Sequence, residues 1–150
     1  MTGRETRLLP IGEVTVEDDG RSVTRVAFGR LGESAPSPLT ARDFEQLEAY
    51  FAGQRCAFEL PLSPAGTPFQ RRVWAALKQI PFGETRSYGA IARAVGCPGG
   101  ARAVGLACHR NPIVILIPCH RVTGVSGNLT GYGGGLAVKA ALLRLEGSIK

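Results

Sequence analysis

The sequence predicts an α/β chain of the α+β type, with strands near its start and helices over most of the remainder. Three observations lead to this prediction. Segments rich in β-branched residues stand on either side of a turn sequence, Asp18-Asp19-Gly20. Patterns that start helices recur after them, and two short predicted helices flank a glycine-containing turn. A chain of 150 residues suffices for one ordinary domain or for two small ones.

The first elements are a predicted β-hairpin and a helix. Val14–Val16 and Val23–Phe28 are the two predicted strands, and the Asp-Asp-Gly turn joins them. Residues 30–39 are rich in Gly, Ser and Pro, which indicates a loop. A helix is then predicted to begin at Thr40, with Asp43 three positions later as an approximate capping box. The apolar stripe of this helix comprises Phe44, Leu47, Tyr50 and Phe51.

A change in composition divides the chain after residue 66. The stretch "PLSPAG" (Pro61–Gly66) has the composition of a linker. Residues 1–67 carry seven Lys/Arg and ten Asp/Glu, whereas residues 68–150 carry eleven Lys/Arg and only two Asp/Glu. We therefore predict two domains, 1–66 and 67–150. The strongly basic second part favours an anionic partner, nucleic acid first, although a merely solvated surface is the alternative.

The second domain is predicted to begin with a helix. Thr67 and Gln70 form a capping box, and Pro68 stands at the first helical position. An apolar stripe continues until the breaker sequence Pro81-Phe82-Gly83. The members of the stripe are Phe69, Val73, Leu77 and Ile80.

Two short helices across a tight glycine-containing turn then predict a helix-turn-helix. Ser87 is expected to cap the first, which ends near Gly96, and the second runs from about Gly100 to Arg110. The second helix has Gly or Ala at many positions, which permits close approach to another surface. That surface is either a neighbouring helix or, given the basic setting, DNA, towards which Arg102 and Arg110 would project.

The rest of the chain holds the candidate chemistry. Ile113–Ile117 is an apolar run that is predicted to form a buried strand, and the sequence Pro-Cys-His-Arg follows it directly. Residues 123–135 contain six glycines and indicate a loop. Leu136–Glu146 is the last predicted helix, with a glycine after it.

Cys119 and His120 are candidate groups for nucleophilic catalysis. The thiolate is the reactive form of cysteine, and a neighbouring base or cation favours it. Glu146 is the only carboxylate after Glu84 and could orient the imidazole. Adjacent side chains in an extended segment point to opposite faces, so His120 would need a bent backbone or a bridging water to act on the sulfur. The pair by itself also fits a core thiol beside a surface histidine.

Other classes of protein and of site are not supported. The N-terminal residues lack the apolar core of a signal peptide, and no segment is long and apolar enough to span a bilayer. Four cysteines in such a chain are typical of reduced thiols in a cytosolic protein. Cys108-His109 and Cys119-His120 match no usual zinc spacing. We therefore expect neither a metal site nor a cofactor.

Several stretches resemble the O6-alkylguanine-DNA alkyltransferases, also called methylated-DNA–protein-cysteine methyltransferases. They are "TPFQRRVWAALKQIPFGETRSYGAIARAVG", "ARAVG", "NPIVILIPCHRV" and "GYGGGLAVKAALLRLEG", which together cover essentially residues 67–147. The resemblance implies a mainly helical C-terminal domain of winged helix-turn-helix type that carries the active-site cysteine. It also implies a small N-terminal α/β domain of RNase H-like fold, although residues 1–66 resemble the family's variable domain only loosely.

The resemblance implies DNA repair by direct, irreversible and stoichiometric transfer of the alkyl group from O6-alkylguanine to Cys119, and leaves O4-alkylthymine open as a second substrate. The target base would be flipped out of the duplex by a helix-turn-helix in the minor groove. The implied partner is double-stranded DNA carrying O6-alkylguanine, with no membrane, a monomeric protein and a cytoplasmic or nucleoid location; cooperative binding on DNA stays open. Two alternative functions are a non-catalytic sensor or regulator on alkylated DNA and a cysteine hydrolase.

The resemblance also implies a catalytic group. Cys119 would accept the alkyl group, His120 would act as a base through water, and Glu146 would orient the imidazole. Asn111 would be the hinge between the recognition helix and the active-site strand. Tyr88 would crowd the phosphate of the target and donate a proton to the guanine.

Two further sets of residues are implied for the substrate pocket and for DNA. Tyr132 would be a wall of the alkyl pocket, and Lys139 would lie near the cysteine. Gly133 stands where some family members carry serine, so only its backbone N–H could hold the guanine oxygen. The implied substrate-binding set is Tyr132, Gly133, Pro118, Val122 and Lys139. The implied DNA-binding set has Arg102 as the finger that enters the base stack, with Ala101, Ala103, Gly105, Arg110, Ser87, Tyr88 and Arg121.

Overall fold

The computed structural model of the protein describes residues 2–124, 132 and 135–149. The chain divides into two compact units. The first runs to Ala65 and includes Pro112–Leu116, and the second comprises Gly66–Asn111 and the chain from Ile117. The two domains predicted from the sequence, by contrast, did not separate Pro112–Leu116 from its neighbours in the chain.

The first unit is built on a three-stranded antiparallel sheet. Its strands are β1 (Gly3–Leu9), β2 (Gly12–Asp18) and β3 (Val23–Phe28), in the order β1-β2-β3. The predicted hairpin is therefore confirmed as β2 and β3. β1 was not predicted, because its buried positions include Gly3 and Glu5 where an alternating pattern would place apolar side chains.

Pro112–Leu116 belongs to the first unit because its backbone binds β3. The Val26 N–H donates to the Pro112 carbonyl at 2.9 Å, and the Val114 N–H donates to the Val26 carbonyl at 3.1 Å. The strand predicted for this apolar run is wrong: the run forms a turn with one isolated bridge to β3. Ile115 has a φ of 71°, a left-handed conformation that is strained for a β-branched residue and breaks any extended strand.

Helix α1 (Pro38–Phe51) packs in the first unit and begins earlier than predicted. Ser37 is the N-cap, and its side chain forms a reciprocal capping box with Thr40. Thr40 is thus the third residue of the first turn instead of the cap, since Pro38 can start a helix at a position where its missing N–H costs nothing. The buried side chains of α1 are Thr40, Asp43, Phe44, Gln46, Leu47 and Tyr50.

Helix α2 (Pro68–Leu77) starts the second unit as predicted. The Gln70 N–H donates to Thr67 Oγ1 at 3.1 Å, and the Thr67 N–H donates to Gln70 Oε1 at 2.9 Å. Trp74, which the predicted stripe did not include, is buried, and its Nε1–H donates to the Ala107 carbonyl at 2.9 Å. This bond ties α2 to the second helix of the helix-turn-helix.

The predicted helix pair is present as α3 (Tyr88–Ala94) and α4 (Ala101–His109). The Ala90 N–H donates to Ser87 Oγ at 3.0 Å, which confirms the predicted cap. Strand β4 (Arg86–Ser87) pairs in parallel with β5 (Val122–Thr123). This short sheet places the residues that precede α3 beside the residues that follow Cys119.

The last helix is α5 (Leu136–Leu145), and it buries Lys139 together with apolar residues. Gly147 follows it with a φ of 78°, the conformation that commonly ends a helix. Most of the predicted loop 123–135 lies outside the described residues. Within the described part of the chain, every helix is too short or too polar to cross a membrane.

Candidate active site and nucleic-acid interface

Cys119 lies at the start of a 3-10 turn (Cys119–Arg121), and its side chain is buried with 5% exposure. The Arg121 N–H donates to the Pro118 carbonyl at 3.0 Å, which closes the turn over a buried Pro118. Adjacent side chains on such a turn do not point to the opposite faces of an extended strand. The backbone that carries Cys119 and His120 is therefore bent and not extended.

The thiol of Cys119 is protonated in the resting protein. Burial raises its pKa above the ordinary value, and a hydrogen bond with Asn111, the charge of Lys139 and a hydrogen bond with Tyr132 offset part of this rise. Because the thiolate is the nucleophile, a base has to remove the proton before the sulfur can react.

Asn111 connects the end of α4 to the residues before Cys119. Its backbone N–H donates to the Cys108 carbonyl at 3.2 Å, and its Nδ2 donates to the Ile117 carbonyl at 2.8 Å. The same Ile117 carbonyl accepts the Cys119 N–H at 2.8 Å. One buried asparagine thus binds both the last turn of the predicted recognition helix and the residues that lead into the turn with the thiol.

His120 and Glu146 form a buried pair, with 2.8 Å between Nε2 and Oε2 and no exposure of either side chain. Burial lowers the pKa of His120, and its hydrogen bond with Glu146 offsets part of this effect, so the resting imidazole is neutral. Because a carboxylate only accepts hydrogen bonds, the ring proton belongs on Nε2 and the lone pair on Nδ1. Among the described residues Nδ1 has no hydrogen-bond partner. His120 is therefore in the tautomer that can accept a proton at Nδ1.

Arg121 does not lie on the DNA surface, and that sequence prediction is wrong. Its side chain is buried, with Nε 2.7 Å from Oε1 and Nη2 2.9 Å from Oε2 of Glu146. The third guanidinium nitrogen, Nη1, donates to the Ile80 carbonyl at 2.7 Å. A buried charge has to be paired, and this bidentate bond meets that requirement. Arg121 consequently holds the carboxylate that orients His120.

Lys139 reaches the same site from α5. Its side chain is buried, and Nζ donates to the Val122 carbonyl at 2.7 Å. Burial lowers the pKa of Lys139, whereas the nearby thiols of Cys119 and Cys108 act in the opposite direction. Val122 was predicted to contact substrate; its side chain is completely buried, and its carbonyl oxygen positions Lys139.

Of Tyr132 and Gly133, which were both predicted to contact the substrate, the structure describes only Tyr132. Tyr132 is half-buried, and its hydrogen bond to Cys119 helps to lower the pKa of the thiol. Gly133 lies outside the described residues, so its proposed contact with guanine stays a prediction.

Cys108 was given no role from the sequence, yet it lies within electrostatic reach of Cys119 and Lys139. Burial and the charge of a Cys119 thiolate raise the pKa of Cys108 to about 12, and the charge of Lys139 offsets part of this rise. The only signal for this proximity was that Cys108 stands on α4 three residues before Asn111. Within residues 2–124, 132 and 135–149, no group of three or more metal-ligating side chains could hold a metal ion.

Four of the eight predicted DNA-binding residues are exposed, and these four lie on α4 or at its end. Tyr88 packs over Gly105: a β-carbon on this glycine would lie 3.8 Å from the tyrosine ring. This is an ordinary van der Waals distance, so α3 and α4 are in contact here and a β-carbon would fit between them. Val104 and Ala107 are the buried residues of α4. The exposed predicted residues are Ala101, Arg102 and Ala103 in the first turn of α4 and Arg110 at its end.

Comparison with known proteins gives concordant matches. The family model described as 6-O-methylguanine DNA methyltransferase, ribonuclease-like domain, matches residues 7–64, and that described as 6-O-methylguanine DNA methyltransferase, DNA binding domain, matches residues 68–148. A methylated-DNA–protein-cysteine methyltransferase of Mycolicibacterium paratuberculosis is 64% identical over 144 residues, which cover 91% of this chain and 87% of that protein. The protein of the same name from Methanosarcina acetivorans is 48% identical over 147 residues, or 93% and 94% of the two chains.

A solved structure extends the similarity to the fold. The crystal structure of Mycobacterium tuberculosis OGT in complex with DNA has a TM-score of 0.90 and 50% sequence identity, and the match covers 97% of this chain and 92% of that one. The predicted α+β fold, with a ribonuclease-like first domain and a DNA-binding second domain, is confirmed by these matches.

Proposed function

Because the chain belongs to the 6-O-methylguanine DNA methyltransferase family, we propose that it repairs DNA by transferring the alkyl group of O6-alkylguanine to its own Cys119. The activity is that of a methylated-DNA–protein-cysteine methyltransferase, with DNA as the partner. One observation carries the assignment to Cys119. The thiol is buried and directly precedes His120 in the chain, and Nε2 of His120 lies 2.8 Å from the buried carboxylate of Glu146.

Activation of the thiol begins with removal of its proton. His120 takes this proton at Nδ1 through a bridging water, and Glu146 stabilises the imidazolium that forms. Arg121 keeps Glu146 ionised and fixed, because a carboxylate with two guanidinium hydrogen bonds strongly favours its charged form. The ammonium group of Lys139 favours the thiolate by its charge.

The transfer itself is a substitution at the alkyl carbon. The Cys119 sulfur forms a bond to this carbon while the bond from the carbon to O6 breaks, and guanine leaves with the electron pair. Tyr88 donates a proton to the departing base, which stabilises the charge that develops on it. Tyr132 and the backbone of Gly133 are the proposed wall and oxygen contact of the pocket.

Recognition requires that the damaged base leave the duplex, because its alkyl carbon is otherwise inaccessible inside the stack. Arg102, exposed in the first turn of α4, fills the gap in the stack. Ala101, Ala103 and Gly105 have small side chains, which suit close approach in the minor groove. Arg110 and Ser87 contact the phosphate backbone, which supplies affinity without sequence preference.

The product is a thioether, which is chemically stable, so each protein molecule reacts once. We expect a monomer, since no step of the reaction calls on a second copy. The proposed substrate also sets the location of the protein, which is with the DNA in the cytoplasm or nucleoid.

A single-turnover assay tests the proposal. A duplex with one O6-methylguanine labelled in its methyl group is mixed with the parent, with Cys119→Ser and with the exposed-thiol control Cys56→Ser. We expect one methyl group per molecule of the parent and of the control, and none for Cys119→Ser. Equal transfer by Cys119→Ser contradicts the proposal. DNA binding without any transfer would instead indicate a sensor, and repeated turnover on an ester or amide would indicate a hydrolase.

A further inference from the structure

Arg93 is an exposed cation in the last turn of α3 that the proposed mechanism leaves without a role. Its Nη1 lies 3.5 Å from the position that a β-carbon on Gly89 would occupy, and Ser87 Oγ lies 3.9 Å from the same position. The side chain therefore turns back along the helix, over Gly89 and towards Ser87, as side chains four residues apart on a helix do. Its guanidinium lies against Gly89, a residue without a side chain in the first turn of α3.

The sequence around Arg93 is free of acidic residues. The sequence contains no Asp or Glu between Glu84 and Glu146. Glu84 pairs with Arg86 at 2.9 Å, and Glu146 is buried with Arg121. In the part of the chain that the structure describes, no carboxylate lies within 4.0 Å of Arg93. An exposed cation in this setting attracts an anion from solution.

The position of Arg93 specifies which anion it meets. Gly89 directly follows Ser87 and Tyr88, which both belong to the proposed DNA-binding set, and Ser87 Oγ lies 3.9 Å from the position of a β-carbon on Gly89. Ser87 and Tyr88 are themselves proposed to contact the phosphate backbone and the target nucleotide. A phosphodiester oxygen that approaches these residues comes within reach of the guanidinium, whose planar donors match phosphate geometry.

We propose that Arg93 binds a phosphate group of the DNA strand beside the target nucleotide that Tyr88 contacts. This inference rests on the proposed function, because it takes the α3–α4 side of the second unit as the DNA-binding face. Such a contact positions the protein on the duplex and carries no sequence information. Its loss weakens binding to damaged and undamaged DNA alike.

The test is the salt dependence of binding to an undamaged duplex, measured by fluorescence anisotropy for the parent, Arg93→Gln, Arg93→Lys and Arg21→Gln. Arg21 is also an exposed arginine and lies in the region matched by the ribonuclease-like domain, so its variant controls for the loss of one charge. For Arg93→Gln we expect the slope of log K against log salt to fall by about 1 in magnitude, since one phosphate contact is lost. Arg93→Lys restores most of the slope, and Arg21→Gln keeps the slope of the parent.

Two results would overturn the inference: a slope for Arg93→Gln equal to that of the parent, or an equal decrease for Arg21→Gln. Circular dichroism of each variant shows that it is folded. Methyl transfer by the parent is measured separately. A further result is a salt slope that is steeper for the parent than for Arg93→Gln while the parent transfers no methyl group. That result would contradict the proposed function and still support this phosphate contact.

Discussion

Glu146 binds two buried side chains, those of His120 and Arg121, and these contacts explain why His120 is expected to act as a base. One carboxylate oxygen, Oε2, lies 2.8 Å from His120 Nε2 and 2.9 Å from Arg121 Nη2. Because the guanidinium keeps the carboxylate ionised, the imidazole donates its only proton there and keeps Nδ1 as an acceptor. Sequence reasoning identified Cys119, His120 and Glu146, but assigned Arg121 to the surface, because an arginine after a histidine carries no local sign of burial.

Arg121→Gln should destabilise the protein by about 3–5 kcal/mol, because it leaves a buried carboxylate without its cation. Urea unfolding followed by tryptophan fluorescence measures the free energy of unfolding. Arg30→Gln is the control, since Arg30 and Glu13 form an exposed pair at 3.0 Å that should contribute at most about 1 kcal/mol. Equal losses in the two variants would contradict the role given to Arg121.

Asp43 of α1 makes the stability of the protein depend on pH. It is buried, and among the described residues neither of its carboxylate oxygens has a hydrogen-bond partner. Burial raises its pKa from 3.8 to about 7. Between these values the folded protein holds a proton that the unfolded chain has released, so this stabilisation is complete below pH 3.8 and is lost as the pH rises through 7.

Asp43→Asn should remove this dependence, because the amide has no charge to bury. From pH 4 to pH 8 the parent should lose roughly 2–4 kcal/mol of unfolding free energy relative to the variant. Urea unfolding of both proteins at several pH values gives the difference, in which the contributions of all other groups cancel. Parallel curves for parent and variant would show that the Asp43 carboxyl is not held protonated.

At the scale of elements, local signals predicted helices well and strands poorly. The starts of α2 and α3 agree with their caps at Thr67 and Ser87, because a cap is encoded within four residues of sequence. The start of α1 was placed at Thr40, the inner member of a box whose cap is Ser37. The apolar run before Cys119 has strand composition but adopts a turn, since the conformation of Ile115 depends on contacts that composition does not reveal.

Thr67→Ala should destabilise α2, and with it the second unit, by about 1 kcal/mol, because the Gln70 N–H loses its acceptor. Thr67→Ser keeps a hydroxyl at the cap and should stay within about 0.5 kcal/mol of the parent. Denaturant unfolding compares the three proteins. A Thr67→Ala variant as stable as the parent would mean that the capping box contributes nothing to α2.

At the scale of the whole molecule, the sequence did not predict which segments of the chain belong to each unit. Pro112–Leu116 belongs to the first unit although residues on both sides of it belong to the second. Its assignment depends on backbone hydrogen bonds with Val26, which is remote in sequence. Composition and charge locate a linker, but they do not show where a later segment pairs. The residues of the proposed site were easier to predict, because they match a family motif that implies their roles together.

Alkylation of the protein should lower its stability by about 1–3 kcal/mol, because a methyl group on a buried thiol adds volume to a packed site. It also replaces the S–H group beside Asn111, whose hydrogen bonds fix the turn before Cys119. Differential scanning calorimetry of the unreacted and the fully methylated protein measures the change. Equal melting temperatures would contradict this expectation.

The most direct test of the central claim is to locate the transferred group. The protein is incubated with an excess of duplex containing O6-methylguanine, and intact-mass and peptide mass spectrometry follow. We predict the mass of a single methyl group on each molecule, found on the peptide with Cys119 and not on that with Cys108. Methylation of Cys108 in its place, or an unchanged mass while the DNA loses its lesion, would contradict the claim.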